Sequence, residues 1–425
     1  MSSTLHQNWE QLTLGDLGRV VTGRTPPSSK PELFGDQYPF ITPTDMAFSD
    51  RSIRPERGIS DTGAESLSRI KLPAKTPCFV CIGATIGKLC LTSEESFTNQ
   101  QINSIVVNKD RHNPDFVYYL LRHVSGQVKS LAGGAATPII NKSAFSEVPV
   151  LVPSLEVQES IASILSAYDD LIENNTRRIE ILEEMARRLY EEWFVHFRFP
   201  GHEEVSFKES ELGEIPEGWC VKTVAETFQI MGGGTPSKKV PEYWDGGDIN
   251  WFSPTDLTKS SSAFMEESSS KITELGLKKS SAKLFPEKSV MMTSRATIGV
   301  VAINTQPATT NQGFITCLPN DEFPLNLMYH WLKDNVETFI SLGTGATFKE
   351  ISKGTFKEIQ LAVPPHDVSR AYEEAVNPMM QQVLLLQRKN ANLRAQRDLL
   401  LPKLVSGEID VSDIPMPDDK EVEAA

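Results

Sequence analysis

Gly23-Arg24-Thr25-Pro26 is answered 210 residues later by Gly233-Gly234-Thr235-Pro236. The register extends outward from this pair. Upstream and downstream of it, Trp9 to Met46 lies over Trp219 to Leu257. Pro43-Thr44-Asp45 matches Pro254-Thr255-Asp256, and Ala84-Thr85-Ile86-Gly87 matches Ala296-Thr297-Ile298-Gly299. Thr98-Asn99-Gln100 matches Thr310-Asn311-Gln312, Ala136-Thr137 matches Ala346-Thr347, and Val152-Pro153 matches Val363-Pro364. The offset stays between 210 and 212 throughout. A single period this long marks two duplicated domains, not a solenoid of short repeats. The expected division is a first globular domain over 1–150, a helix and linker over 151–217, a second globular domain over 218–362, and a second helix with a tail over 363–425.

The globular parts read as mixed, β-rich α/β. Cys78–Ile82, Ile102–Val107, Val290–Met292 and Val300–Ile303 are short apolar runs bounded by Gly, Pro or Asn, the pattern of strands. Asp115–Val124 and Leu325–Phe339 have helical spacing.

The two repeat tails carry a different pattern. Apolar residues recur at alternating steps of four and three: Ile161, Leu165, Tyr168, Ile172, Asn175, Ile179, Leu182, Ala186, Leu189, Trp193. That is a heptad seam with Asn175 as its only polar member. The second tail repeats it at Met379, Val383, Leu386, Asn390, Leu393, Arg397 and Leu400. Helices over 155–197 and 367–401 are expected. Pro200-Gly201 stops the first and Pro402 the second. Asn377-Pro378 reads as a helix start, or as a kink after a shorter helix from Asp367. Two heptad helices in one chain are expected to pair as an antiparallel coiled coil; the plainer alternative packs each stripe on its own domain.

The 425 residues include 42 basic and 56 acidic side chains, a net charge of −14. The excess acid is local. Residues 1–150 carry 15 basic and 14 acidic groups, and 218–362 carry 14 and 15. Residues 151–217 carry 6 and 16, and 363–425 carry 7 and 11. The nearly neutral globular parts leave room for a basic, DNA-facing side on each. No apolar run approaches the roughly 18–20 residues of a membrane span, and Met1 to Glu10 lacks the pattern of a signal peptide. Five cysteines spread over so long a chain argue for a reducing cytoplasm.

The usual signatures of chemistry are missing. Gly83-Ala84-Thr85-Ile86-Gly87-Lys88 is one residue short of a phosphate loop and has Leu89 where Ser or Thr would hold magnesium. Cys78 and Cys81 form a lone CxxC, better read as buried strand thiols than as a zinc site. The seven histidines form no ligand spacing. Asn113-Pro114-Asp115-Phe116 is similar to the Asn-Pro-Pro-Phe of amino-methyltransferases but lacks its second Pro, and reads as a helix start. No catalytic residue and no metal ligand is expected.

Two globular parts, each followed by a long helix, with Gly-(Gly)-Thr-Pro, Thr-Ile-Gly, Thr-Asn-Gln and Val-Pro in the same order, resemble the specificity subunit of a type I restriction-modification system. The linker Leu212-Gly213-Glu214-Ile215-Pro216-Glu217-Gly218-Trp219 and the ending Leu400-Leu401-Pro402-Lys403-Leu404-Val405-Ser406-Gly407-Glu408-Ile409 are similar to that family's. Arg24 in place of the usual second Gly, and Pro138-Ile139 opposite Phe348-Lys349, are local departures. The resemblance implies two target recognition domains, each reading one half of a bipartite double-stranded DNA site. It implies helices that set the spacer and dock two modification (methyltransferase) subunits. It also implies restriction (translocase/endonuclease) subunits as further partners. S-adenosylmethionine, ATP and Mg would then belong to those partners, leaving this chain cytoplasmic and without a cofactor.

The duplication sorts candidate residues. Two domains that read different sequences cannot owe the difference to motifs they share, so the shared motifs are expected to be scaffold or phosphate-positioning. Base-reading candidates lie where the copies diverge: Arg24, Ser28, Ser29, Lys30, Arg51, Arg54 and Arg57 in the first, and Lys238, Lys239, Lys259, Ser294, Arg295 and Lys349 in the second. Arg suits guanine, and Lys suits guanine or phosphate. Tyr190, Trp193, Phe194, Phe197 and Phe199 are either core or an anchor for a partner. The competing reading is a coiled-coil adaptor without nucleic-acid function, for which acidic surfaces throughout are the expected signature.

Overall fold

The computed structural model describes residues 9–48, 51–133, 138–260, 262–345 and 348–412. Ala136-Thr137 and Ala346-Thr347 of the repeat lie outside the described residues. The chain forms two compact units, one of residues 1–174 with 389–425 and one of 175–388.

In the first unit, the strands Gly18–Thr22, Ile102–Val107, Pro77–Val80 and Leu89–Leu91 pair in that order, all antiparallel. A second sheet is centred on Phe34–Ile41, which pairs antiparallel with Gly58–Ile59 and parallel with Phe97–Thr98. Glu10–Thr13 pairs with Pro149–Val152, bringing the two ends of the globular part together. The helix Pro114–Ser130 starts as its sequence requires. Pro114 stands in the first turn, and the Asn113 side chain accepts from Phe116 N at 3.0 Å. It buries Phe116, Tyr118, Tyr119 and Leu121.

The second unit repeats the plan. Gln229–Gly232, Phe314–Leu318, Val290–Thr293, Val301–Asn304 and Phe264–Met265 form one sheet, and Ser270–Ile272, Ile249–Phe252 and Ala308–Thr310 another. Cys220–Thr223 pairs with Gln360–Val363. Leu325–Asp334 and Val336–Leu342 divide the stretch expected to be one helix. Both units are thus mixed α/β.

Two long helices contribute to both units. The first, Leu155–Tyr190, continues into a π-helical turn, Glu191–Val195, closed by His196 N on Glu191 O at 2.9 Å. Phe197 then adopts φ +57°, so the helical path ends at Val195, two residues ahead of the expected 197. The second runs His366–Val405. It passes through Pro378 without a break, so Asn377 is not a helix start. Pro402 does not stop it either. A proline lacks its own N–H and crowds the carbonyl four residues back, but the helix runs on past it and its carbonyl accepts from Ser406 N at 3.0 Å.

The heptad positions face inward. Ile161, Leu165, Ile172 and Asn175 are buried, as are Ala186 and Trp193. On the second helix Val383, Leu386, Asn390 and Arg397 are buried. In the first unit the Asn390 amide donates to Ile172 O at 3.3 Å. The burial of Arg397 rests on Asp169, with which it forms an ion pair, and Tyr119 Oη donates to the same carboxylate at 2.7 Å. In the second unit Tyr372 Oη lies 3.5 Å from Ala186 O and 3.0 Å from His330 Nδ1.

Candidate nucleic-acid interface

Four of the shared motifs, spread over residues 23–100 in one copy and 233–312 in the other, converge. In the first unit Arg24 N donates to Thr98 O at 2.9 Å, and Asn99 N donates to Ile41 O at 3.1 Å. In the second, Gly234 N donates to Thr310 O at 2.8 Å, and Asn311 N to Phe252 O at 3.0 Å. The Gly-Thr-Pro loop therefore rests on the Thr-Asn-Gln segment. The contact is so close that a Cβ on Gly23 would lie 2.2 Å from Thr98 O, and one on Gly233 would lie 2.0 Å from Asn311 O. Only glycine fits there.

The next motif joins the same rim. In the first unit, Thr42 N and Oγ1 both donate to Asp45 Oδ2, at 2.7 and 2.6 Å. In the second, Ser253 N and Oγ donate to Asp256 Oδ2, both at 2.7 Å. Burial pushes the Asp256 carboxyl up, but hydrogen bonds from Ser253 and Ser269 outweigh it and hold the group below the ordinary aspartate value. The Ala-Thr-Ile-Gly turn is tied in through Cys81 N on Gln101 O (2.7 Å) and, in the second unit, Ser294 N on Gly313 O (2.8 Å). The aspartates and backbone of these motifs are spent on internal bonds, which is the behaviour of scaffold.

The diverging candidates sort by exposure. Arg24, Ser28, Ser29 and Lys30 are exposed along the loop that begins at Gly23, and Lys238 and Lys239 occupy the same loop of the second copy. Arg295 is exposed, with Glu350 at 3.7 Å, and Lys349 accepts from Ala296 N through its carbonyl. Lys259 is exposed in the helix Pro254–Ser260. Arg54 and Arg57 are exposed and line a cleft of about 360 Å³ with Tyr38 and Glu94. The Arg57 guanidinium stands 5.6 Å from the Phe40 ring centre.

Two candidates are not where a reading residue must be. The Arg51 side chain is 10% exposed, ion-paired with Asp170 of the first long helix and 3.7 Å from Asp115. Its charge fastens the domain to that helix. Ser294 is buried at the end of a strand, and its carbonyl accepts from Ile351 N.

The aromatic run is core. Tyr190, Trp193 and Phe199 are buried, and Phe194 and Phe197 pack against the same cluster in the second unit. Phe194 meets Tyr372 edge-on at 4.8 Å, and Phe197 and Phe199 flank buried Trp219 at 5.1 and 5.8 Å. These rings are therefore not an exposed anchor. Sequence reasoning missed Trp219 as their organiser and Asp169 as the buried partner of Arg397.

Among the described residues no helix is long and apolar enough to cross a membrane, and no cluster of three or more His, Cys, Asp or Glu is placed to hold a metal. All five cysteines are free, with Cys78 and Cys81 buried.

The model of the type I restriction modification DNA specificity domain matches residues 6–184 and again 216–391. The chain is 29% identical over 419 residues to the type I restriction enzyme MjaIX specificity subunit of Methanocaldococcus jannaschii, covering 96% of this chain and 95% of the relative. It is 25% identical to the HindI specificity subunit of Haemophilus influenzae, covering 70% and 77%. Its fold is similar to the crystal structure of the type I restriction-modification S subunit from M. genitalium, with a TM-score of 0.60 at 16% identity over 95% of this chain and 98% of that one. With the repeat of the sequence, the repeat of the rim and the repeat of the domain match coinciding, the chain belongs to the type I restriction-modification specificity subunits and carries their DNA specificity domain twice.

Proposed function

We propose that each globular part, over 1–150 and 218–362, is a target recognition domain reading one half of a bipartite duplex site. The observation that carries this is the pair of equivalent rims, alike in their scaffold and unlike in the exposed groups set on them. Arg24, Ser28, Ser29, Lys30, Arg54 and Arg57 are the proposed readers of one half-site. Lys238, Lys239, Lys259, Arg295 and Lys349 are those of the other. Arg51 and Ser294 leave the set. The coiled-coil adaptor has no support once both domains match a DNA specificity domain.

The two long helices, with the linker over 151–217 and the tail over 363–425, are proposed to pair as an antiparallel coiled coil. They would act as a spacer and a docking surface for two methyltransferase subunits. The inward heptads, the Asn390–Ile172 bond and the Arg397–Asp169 pair support this. The chain itself is proposed to be non-catalytic and to work in the cytoplasm. S-adenosylmethionine, ATP and Mg would serve the modification and restriction subunits, not this chain.

The test is a swap. Replacing residues 1–150 with the same part of a relative, then mapping methylated adenines across a genome, should change one half-site and leave the other intact. A swap that changes both halves, or neither, sinks the assignment.

A further inference from the structure

The rims hold one exposed group in the same state twice. Thr25 Oγ1 donates to Gln100 Oε1 at 2.8 Å, and Thr235 Oγ1 donates to Gln312 Oε1 at 2.7 Å. Both glutamines are exposed. Their amide nitrogens have no partner among the described residues. The threonine engages the carbonyl end of each amide and leaves two N–H donors turned to the outside.

That arrangement restricts what the glutamine can recognise. Bidentate reading of adenine needs the amide oxygen and nitrogen together, one accepting and one donating. Here the threonine holds one of the oxygen's two lone pairs and fixes that end of the amide, while neither N–H is engaged. The end left wholly unengaged is a donor pair, which suits an acceptor-only anion. The phosphate oxygens of a nucleic-acid backbone are such acceptors.

Three further observations point the same way. The pair recurs in both units although neighbouring positions diverge, Arg24 facing Gly234 in the alignment, so its ligand is one both half-sites share. The loop that carries each threonine is pinned on the Thr-Asn-Gln segment by the glycine contacts, so the donors are held and lose little freedom on binding. Exposed cations lie on the same loops, Arg24 and Lys30 in one and Lys238 and Lys239 in the other.

We propose that Gln100 and Gln312 are matched phosphate clamps, positioned by Thr25 and Thr235, that seat the duplex backbone on each domain without reading its sequence. This rests on the DNA-reading function proposed above and names the part of the DNA that the shared motifs hold.

The experiment uses the full chain assembled with its methyltransferase subunits. The probes are a duplex carrying the target found by methylated-adenine sequencing, and a scrambled duplex of equal length. Gln100→Ala and Gln312→Ala should each weaken binding to both duplexes by roughly ten-fold, the scale of a hydrogen bond to a charged group. The ratio between the two duplexes and the methylated sequence should stay unchanged. Gln100→Glu keeps the Thr25 bond and the shape, and should weaken binding further by repelling the phosphate. Thr25→Val, which keeps the shape but frees the amide, should fall between wild type and Gln100→Ala. Unaltered affinity in Gln100→Ala and Gln312→Ala, or a changed base at either half-site, overturns the clamp. If the wild-type complex does not prefer its target over the scrambled duplex, the DNA-reading function itself falls. If it does and the variants match it, only the clamp falls.

Discussion

The two units solve one packing problem with opposite chemistry. At an offset of 211 residues Tyr118 corresponds to Tyr329 and Arg122 to Lys333, and both pairs keep a contact between the cation and the phenol oxygen, at 3.4 and 3.5 Å. The neighbouring positions have parted. In the first unit Tyr119, Asp169 and Arg397 form a buried ionic network. The corresponding residues in the second unit are His330, Met380 and Ala186, and the space around them is filled by Tyr372, Tyr190 and Phe194. A buried ion pair is costly to desolvate and gives little net stability, but half of one is worse. An aromatic cluster is stable outright and tolerant of small shifts. The comparison teaches that a duplicated scaffold constrains backbone and shape, while the chemistry that fills a buried site is free to drift.

The largest effect expected is from Arg397→Met. It strands the Asp169 carboxylate in the core and should cost the first unit about 3–5 kcal/mol, read by denaturant unfolding. The double variant Asp169→Leu with Arg397→Met imitates the apolar solution of the second unit and should recover most of that loss. A double variant as unstable as the single one would mean that shape, not charge, holds this site.

A smaller, pH-dependent effect belongs to the second unit. Burial lowers the His330 pKa to about 4, and the bond to Asn326 O only partly offsets it. The unfolded chain takes up this proton near pH 6.5, whereas the folded chain does so only near 4. Stability should therefore be full above about pH 6.5 and decline as pH falls towards 4, by up to about 3 kcal/mol. His330→Gln should flatten that part of the pH–stability curve. Tyr119, at the matching place, does not titrate in this range. A slope unchanged by His330→Gln would remove His330 as its source.

The smallest contrast lies within the first unit. Arg51→Ala removes the ion pair to Asp170 and should cost about 1–2 kcal/mol. Arg57→Ala, at an exposed site, should change stability by less than about 0.5 kcal/mol but weaken DNA binding. If the two variants behaved alike in both assays, the division between fastening and reading arginines would be wrong.

The sequence by itself determined the duplication, several of the strands, the existence of the main helices though not all their ends, and the inward face of both long helices. Those features live in local spacing, and the spacing of apolar residues is fixed by the geometry of helix and strand whatever packs on them. It also set the expectation that the shared motifs are scaffold or phosphate-positioning, because the comparison of the two copies is itself a statement about sequence. Tertiary structure alone decided which charges are free. Arg51 meets Asp170 across 119 residues, and Arg397 meets Asp169 across 228, and nothing in the spacing near either arginine announces its partner. The aromatic run from Tyr190 to Phe199 has the composition of an anchor, yet Trp219 and Tyr372 fold over it and make it core. Burial is a property of what arrives from elsewhere in the chain, so the same arginine or phenylalanine reads alike in sequence whether it ends up facing water or facing a partner.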